Sequence, residues 1–521
     1  MARLGPLALA LLVCACDAGT TRKLVDTDRD TDGASDSGDS GDTADTGPDD
    51  TDRADTDDTD PPADPPPTRI DGTFTRWVVP VLDGLGTGPG VLGSQGGTGP
   101  EWGHLDLSGD GARDLVVTSG IYAGRSAHPH AGGWAWKVHA ATPTGFALQP
   151  TWWTVPDVPS AATGTTRMGT SIDPWRTLDL TGDGWPDLVV VWETTETGRR
   201  PFGAAGGSPH WKLYKGSATG FATTPVSFAV PASIDLPEVG GPTTLDRADL
   251  DDGVSYAVLD ADGDGRPDLV SFREDEDAGV RFDGVRPYWE VHLNDGTRFA
   301  STPVAWPLPA DLPRGGDGPW KRSVESADGT TTLLDLDGDG RLDLLSIAGP
   351  GETVWGHPAS PHWRLYRGLS TLTAGFAPAE TWPVSDQLGL QGDAGAWRLP
   401  YALAPQGRYD LRDLDGDGHL DLVQPAPTGS GAPHDLDGDR VWHVWFGRDG
   451  DFAGDPFPWN VPDAVVNGRG TLSSCSPPGP CWYLTDLDGN GLQELVVLQK
   501  TWMEAFSDDQ GAYWKVYPSV P

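Results

Sequence analysis

Asp335-Leu-Asp-Gly-Asp-Gly-Arg-Leu-Asp343, followed at once by the apolar pair Leu344-Leu345, decides how the rest of the chain reads. Five other stretches copy it. They are Asp106-Leu-Ser-Gly-Asp-Gly-Ala-Arg-Asp114, Asp179-Leu-Thr-Gly-Asp-Gly-Trp-Pro-Asp187, Asp260-Ala-Asp-Gly-Asp-Gly-Arg-Pro-Asp268, Asp413-Leu-Asp-Gly-Asp-Gly-His-Leu-Asp421 and Asp486-Leu-Asp-Gly-Asn-Gly-Leu-Gln-Glu494. Successive starts lie 73, 81, 75, 78 and 73 residues apart. Such a period implies one supersecondary unit copied along the chain.

Each copy carries the same pattern outside the acidic loop. An apolar run such as Leu188-Val-Val-Val191 follows the last Asp and reads as a buried strand. Next comes a stretch that alternates aromatic and polar residues: Trp134-Ala-Trp-Lys-Val-His139, His210-Trp-Lys-Leu-Tyr214, Tyr288-Trp-Glu-Val-His292, His362-Trp-Arg-Leu-Tyr366, Trp442-His-Val-Trp-Phe446 and Tyr513-Trp-Lys-Val-Tyr517. Period-2 alternation marks a half-exposed strand. A Gly-Phe or a variant follows, with a second aromatic seven residues on, as in Phe146 and Trp153 or Phe299 and Trp306. With the segment leading into the loop, one repeat holds four strands. Four-stranded sheets repeated radially make a β-propeller, which leaves only short, protected edges. The repeats open on a spare fourth strand, Phe74-Thr-Arg-Trp77, and end on a third, Tyr513–Tyr517. The expectation is an all-β propeller of six four-stranded blades, closed on the last blade by the N-terminal strand.

The loops have the chemistry of a hard-cation site. Calcium takes six to eight oxygen ligands. Positions 1, 3, 5 and 9 supply side-chain oxygens and position 7 a backbone carbonyl. The expected ligand positions are therefore Asp106, Ser108, Asp110, Ala112 and Asp114; Asp179, Thr181, Asp183, Trp185 and Asp187; Asp260, Asp262, Asp264, Arg266 and Asp268; Asp335, Asp337, Asp339, Arg341 and Asp343; Asp413, Asp415, Asp417, His419 and Asp421; and Asp486, Asp488, Asn490, Leu492 and Glu494. Gly338 and Gly340 at positions 4 and 6 supply backbone angles closed to other residues. An EF-hand needs Glu at position 12, which here is Val117, Val190, Ser271, Ser346, Gln424 or Val497. Plain Asp/Gly turns would crowd carboxylates without a cation, which is repulsive. Asp435-Leu-Asp-Gly-Asp-Arg440 lacks the second glycine and the last carboxylate, and reads as an insertion loop.

The motif Asp-x-Asp-Gly-Asp-Gly-x-x-Asp-Leu with its apolar strand resembles the FG-GAP/VCBS family, which includes the calcium-binding blades of integrin α-subunit propellers. The resemblance spans roughly residues 71–521 and implies a Ca2+-loaded propeller used for adhesion or binding. The literal Phe-Gly and Gly-Ala-Pro tags of that family are mostly replaced by Gly-Phe.

The start of the chain reads as an export signal. Residues 1–16 hold Arg3, a short apolar run from Leu4 to Val13, and Val13-Cys14-Ala15-Cys16, which resembles a lipobox with Cys16 as the lipidated residue. Residues 17–70 are rich in Asp, Thr and Pro, too polar to repay the entropy of ordering, and read as a disordered stalk. The expected location is the bacterial cell envelope, as a lipid-anchored protein of the outer membrane or cell surface. In an oxidising compartment, Cys475-Ser-Pro-Pro-Gly-Pro-Cys481 reads as a local disulfide. A formal net charge of -41 excludes nucleic acid as a partner and favours cations.

No Gly-x-Ser-x-Gly or His-Glu-x-x-His occurs, and Glu193 with Glu196 reads as a solvated loop. The recurring His210 and His362, with Tyr288 in the same slot, read as scaffold. A binding module for an extracellular glycan or protein is the favoured reading. A calcium-dependent polysaccharide lyase or hydrolase is the alternative, and a purely structural surface protein a third. The long connections opposite the calcium loops are expected to carry the ligand surface, with Trp355 and Trp502 as contacts.

Overall fold

A computed structural model describes residues 69–70, 73–80, 102–117, 128–156, 175–191, 193–195, 198–200, 202–203, 208–231, 254–273, 281–282, 287–312, 331–347, 355–356, 360–385, 410–424, 441–447, 450–462, 473–475, 481–501 and 504–520. The leader, nearly all of the stalk, Trp502 and the Asp435–Arg440 loop lie outside the described residues. Most of each long connection does too. Among the described residues the chain is all-β apart from one 3-10 turn, Leu372–Ala374, and no helix is long and apolar enough to cross a membrane.

The repeat folds as its pattern requires. In the second copy, strands Trp175–Leu178, Asp187–Val190, His210–Tyr214 and Val226–Ala229 pair antiparallel in chain order. The second strand of a repeat, such as Asp187–Val190 or Asp343–Ser346, is buried at every described position, so both of its faces are packed. The third alternates: Trp211 and Leu213 are buried while Lys212 is half-exposed. The fourth is the outer edge, and in Thr151–Val155 only Trp153 and Val155 are buried.

Five such sheets of four or five strands stand alone, which corrects the expectation of six discrete blades. The sixth repeat is merged into a nine-stranded sheet. The reason lies in how repeats join. The Gly-Phe segment of one repeat makes a parallel bridge to the fourth strand of the repeat before it, as in Thr154 to Gly220, Ala229 to Arg298 and Val384 to Phe452. At the chain ends the equivalent single bridge, Val78 to Gly145, joins the last repeat's sheet to the two-residue pair Ala141–Thr142 with Gly145–Phe146. The N-terminal strand Thr75–Val78 lies antiparallel on the last third strand, pairing Trp77 with Trp514, as the closing-strand reading expects. Arg69–Ile70, at the stalk boundary, pair with Ser519–Val520.

The phenylalanine of each Gly-Phe is the wedge between repeats. Phe221 sits edge-on to Trp136 and Trp153 at 5.3 and 5.8 Å, and Phe452 to Trp363 and Trp382 at 5.6 Å each. Phe146 does the same to Trp77 and Trp514, so the first repeat packs on the last. Edge-to-face packing suits the aromatic quadrupole.

The hairpin Ser473–Cys475 with Cys481–Thr485 sets Cys475 opposite Cys481. The side chains of Cys475 and Cys481 lie outside the described residues, and the cross-link stays an expectation of the sequence.

Candidate metal centre

The six acidic loops share one construction. Position 1 accepts hydrogen bonds at both carboxylate oxygens from the glycine amides of the loop. Asp179 receives Gly182 N at 2.7 Å and Gly184 N at 2.7 Å, and Asp486 receives Gly489 N at 2.7 Å and Gly491 N at 3.0 Å. The glycines at positions 4 and 6 have φ between 70° and 91° in all six loops, the region where only glycine is unstrained. Position 5 accepts from the amide of position 7, as Asp264 does from Arg266 at 2.9 Å and Asn490 from Leu492 at 2.7 Å.

The last carboxylate has a role that its spacing does not reveal. It is buried in every loop and ties the loop to its repeat. Asp114 accepts from Leu107 N and Ser108 N on one oxygen and from Ala141 N, at the end of the third strand, on the other. Asp187 pairs with Gly216 N, Asp343 with Gly368 N and Asp421 with Gly447 N in the same way. Position 9 is thus a clasp as well as a candidate ligand.

Four groups bring three carboxylate oxygens within 4.8 Å of one another and can hold a metal ion: Asp260, Asp262 and Asp268; Asp335, Asp337 and Asp339; Asp413, Asp415 and Asp421; Asp486, Asp488 and Glu494. The loops of Asp106 and Asp179, with Ser108 and Thr181 at position 3, form no such group among the described residues. The all-oxygen donor set fits a hard cation. Guanidinium groups stand against acids of two of these loops: Arg266 on Asp264, Arg341 on Asp339 and Arg367 on Asp337. A positive charge is therefore accommodated at these loops.

The loops also touch one another. A Cβ on the position-4 glycine of one loop would meet the next: Gly109 faces Trp185, Gly182 faces Arg266, Gly263 and Gly338 face Gly340 and Gly418, Gly416 faces Leu492, and Gly489 faces Gly111. The circuit is closed. Arg113 N donates to Leu487 O at 3.3 Å, and Leu420 N to Leu336 O at 3.3 Å. In the third loop this position is Pro267, which has no N–H. The Asn294 side-chain amide donates to Leu180 O instead, at 2.8 Å.

Burial, first of all, pushes these carboxyl groups up, and neighbouring carboxylates add to it. Asp187 and Asp413 are raised to about 6, Asp268 and Asp343 to about 7, and Asp421 and Glu494 to about 8. The amide hydrogen bonds oppose the shift. A group whose pKa is higher in the folded than in the unfolded state stabilises the fold most below its unfolded value, about 4. That stability is lost as pH rises through the folded value. Metal-free protein is therefore expected to melt at a lower temperature at pH 8 than at pH 5. Cation-loaded protein should show the opposite slope, because the cation needs ionised carboxylates. Thermal melts across this range with and without chelator check both signs. Parallel slopes would remove the loops from the pH response.

Other sequence-predicted residues fall into place differently. His210 and His362 direct Nδ1 to the carbonyls of Ser208 and Ser360, at 3.1 and 2.9 Å, which is a local scaffold contact. Glu193 lies in a hairpin of Glu193–Thr195 with Gly198–Arg200. Trp355 is half-buried, with the Arg364 guanidinium 3.6 Å from its ring centre. Reading by residue type missed that in four of the six repeats the position after the third-strand Trp places a cation on an aromatic ring. Lys212 lies over Phe202 at 4.0 Å and Lys137 near Trp152 at 5.7 Å. The signal was present in the recurring Trp-Lys and Trp-Arg pairs.

No protein-family model matches the chain, and no curated protein matches it. Among solved structures, an Agrocybe aegerita lectin, titled as recognising non-reducing terminal N-acetylglucosamine, is similar at 16% identity and a TM-score of 0.39, over 80% of this chain and 79% of that one. The exotype rhamnogalacturonan lyase YesX gives 14% identity and a TM-score of 0.28, over 85% and 75%. A Bacillus licheniformis rhamnogalacturonan lyase gives 13% and 0.29, also over 85% and 75%. These likenesses are loose, and the propeller fold rests on the strand pairing above.

Proposed function

We propose that the chain is a calcium-binding β-propeller of the FG-GAP/VCBS kind, built from six repeats, that serves as a binding module for an extracellular glycan. The observation that carries this reading is the closed circuit of six loops with one shared hydrogen-bond pattern and all-oxygen donor sets. Calcium is favoured over magnesium because loops of several carboxylates plus a carbonyl suit a larger ion with flexible coordination. Export and attachment through a lipid on Cys16 belong to the same proposal and rest on the leader sequence. Exposed aromatic side chains, Trp152 at 37% and Phe74 at 42% exposure, support a saccharide ligand, since sugar C–H faces pack on such rings.

A glycan array probed with the protein in calcium and again in EGTA tests this. Binding to a defined glycan class in calcium, lost in EGTA, is the expected result. Identical binding in both conditions would separate the ligand from the loops, and no binding to any glycan would sink the reading.

A further inference from the structure

On the terminal sheet, the third-strand cation is held in a setting found nowhere else among the described residues. Lys515 Nζ lies 4.5 Å from the ring centre of Phe74 and 4.6 Å from that of Phe506, so it is gripped between two aromatic faces. Directly across the ladder from Lys515 is Arg76. Residues opposite each other in a sheet share a face, and like charges in such a pair repel. Arg76 is neutralised: it donates to both oxygens of Asp508 at 2.9 Å and lies 4.8 Å over the Tyr513 ring. Lys515 makes no ion pair among the described residues. Among the described residues the patch therefore pairs one of its two cations with a carboxylate and leaves the other, in a chain whose acidic residues outnumber its basic ones by 77 to 36.

This imbalance has chemical direction. An ammonium group has three donors, and ring faces do not accept them as a carboxylate does. The rings exclude water from part of the group, which strengthens its attraction for an anion. Beside it, Phe74 is the most exposed aromatic ring among the described residues, at 42%, and stacks on Tyr513 at 6.4 Å with planes 10° apart. An exposed flat ring next to an unpaired ammonium matches a ligand that is flat and apolar on one side and carries a carboxylate. Three of the chain's seven lysines, Lys137, Lys212 and Lys515, occupy this one register position, so the cation is a recurrent feature of the repeat.

We infer that the Phe74–Lys515–Phe506 patch binds an acidic saccharide, with Lys515 on the carboxylate of a hexuronic acid and Phe74 under the pyranose ring. This deepens the glycan-binding reading and rests on it. Titration calorimetry at fixed calcium with glucuronic and galacturonic acid, against glucose and galactose, tests it, with a poly-glutamate peptide as a third probe. The expected result is that a uronic acid binds at least about tenfold more tightly than its neutral counterpart. Lys515→Met, folded as judged by an unchanged melt, should weaken uronate binding about tenfold, and Lys515→Arg should restore it. Equal binding of neutral and acidic sugars, or uronate binding unchanged in Lys515→Met, overturns this inference while leaving the glycan reading intact. Binding of poly-glutamate with no sugar bound overturns both in favour of an acidic protein partner. Absence of binding by all three probes overturns the inference as well.

Discussion

Excess EGTA is expected to lower the melting temperature of the protein by more than about 10 °C, and calcium should restore it. The size follows from linkage. A cation that binds only the folded state, at one hundred times its dissociation constant, adds about 2.7 kcal/mol per site. Several such sites in one cooperative unit rival the whole stability of an ordinary domain, about 5–15 kcal/mol. Without the cation the loops hold buried acids that resist ionisation, among them Asp421 and Glu494, both raised to about 8. Chelation near neutral pH therefore removes an attraction and leaves these acids to take up protons in its place. Differential scanning calorimetry measures the shift directly. A melt that does not move in EGTA would rule out cation loading as a source of stability. Magnesium in place of calcium should recover only part of the shift, because its octahedral shell fits these loops less well.

The second large effect concerns how the circuit of loops closes. Gly489→Ala should cost about 2–5 kcal/mol and Gly491→Ala only about 1–2 kcal/mol. Both glycines have positive φ, +76° and +91°, so alanine is strained at either. They differ in surroundings. A Cβ at Gly489 would lie 2.6 Å from the Gly111 carbonyl carbon and oxygen and 2.8 Å from Ala112 N, all backbone atoms of the first loop. A Cβ at Gly491 meets nothing within 4 Å. The extra cost at Gly489 is that of pushing the last loop off the first. Denaturant unfolding of the two variants at saturating calcium gives the comparison. Equal costs would mean that the contact between first and last loops adds nothing to closure.

Much of this protein is legible along the chain. The acidic loops, their glycines and the strand after each follow from the types and spacing of nine to twelve consecutive residues. The four-strand repeat and the displaced N-terminal strand follow from register, and Thr75–Val78 does lie on Gly511–Tyr517. The count of discrete sheets did not follow. It depends on whether the Gly-Phe segment pairs with the residues before it as a two-residue ladder, as Gly145–Phe146 does with Ala141–Thr142, or by one isolated bridge, as Phe299 does with Asn294. The turn between Cys475 and Cys481 was legible as well, since the hairpin does set the two residues opposite each other in register.

The sequence by itself determined the chemistry that is local: which residues can ligate a hard cation, which backbone positions need glycine, which strands are buried on both faces. Each of these is decided by neighbours within one loop or one strand, and period and spacing carry that information. Only the tertiary structure decided what depends on partners far along the chain. It set Phe146 between Trp77 and Trp514, made Asp114 a clasp on Ala141, gave Asn294 the hydrogen bond that Pro267 cannot make, and placed Lys515 between Phe74 and Phe506. Those contacts form when separate repeats pack face to face, and close packing between faces is a property of the assembled surfaces, which no periodicity within a single repeat encodes.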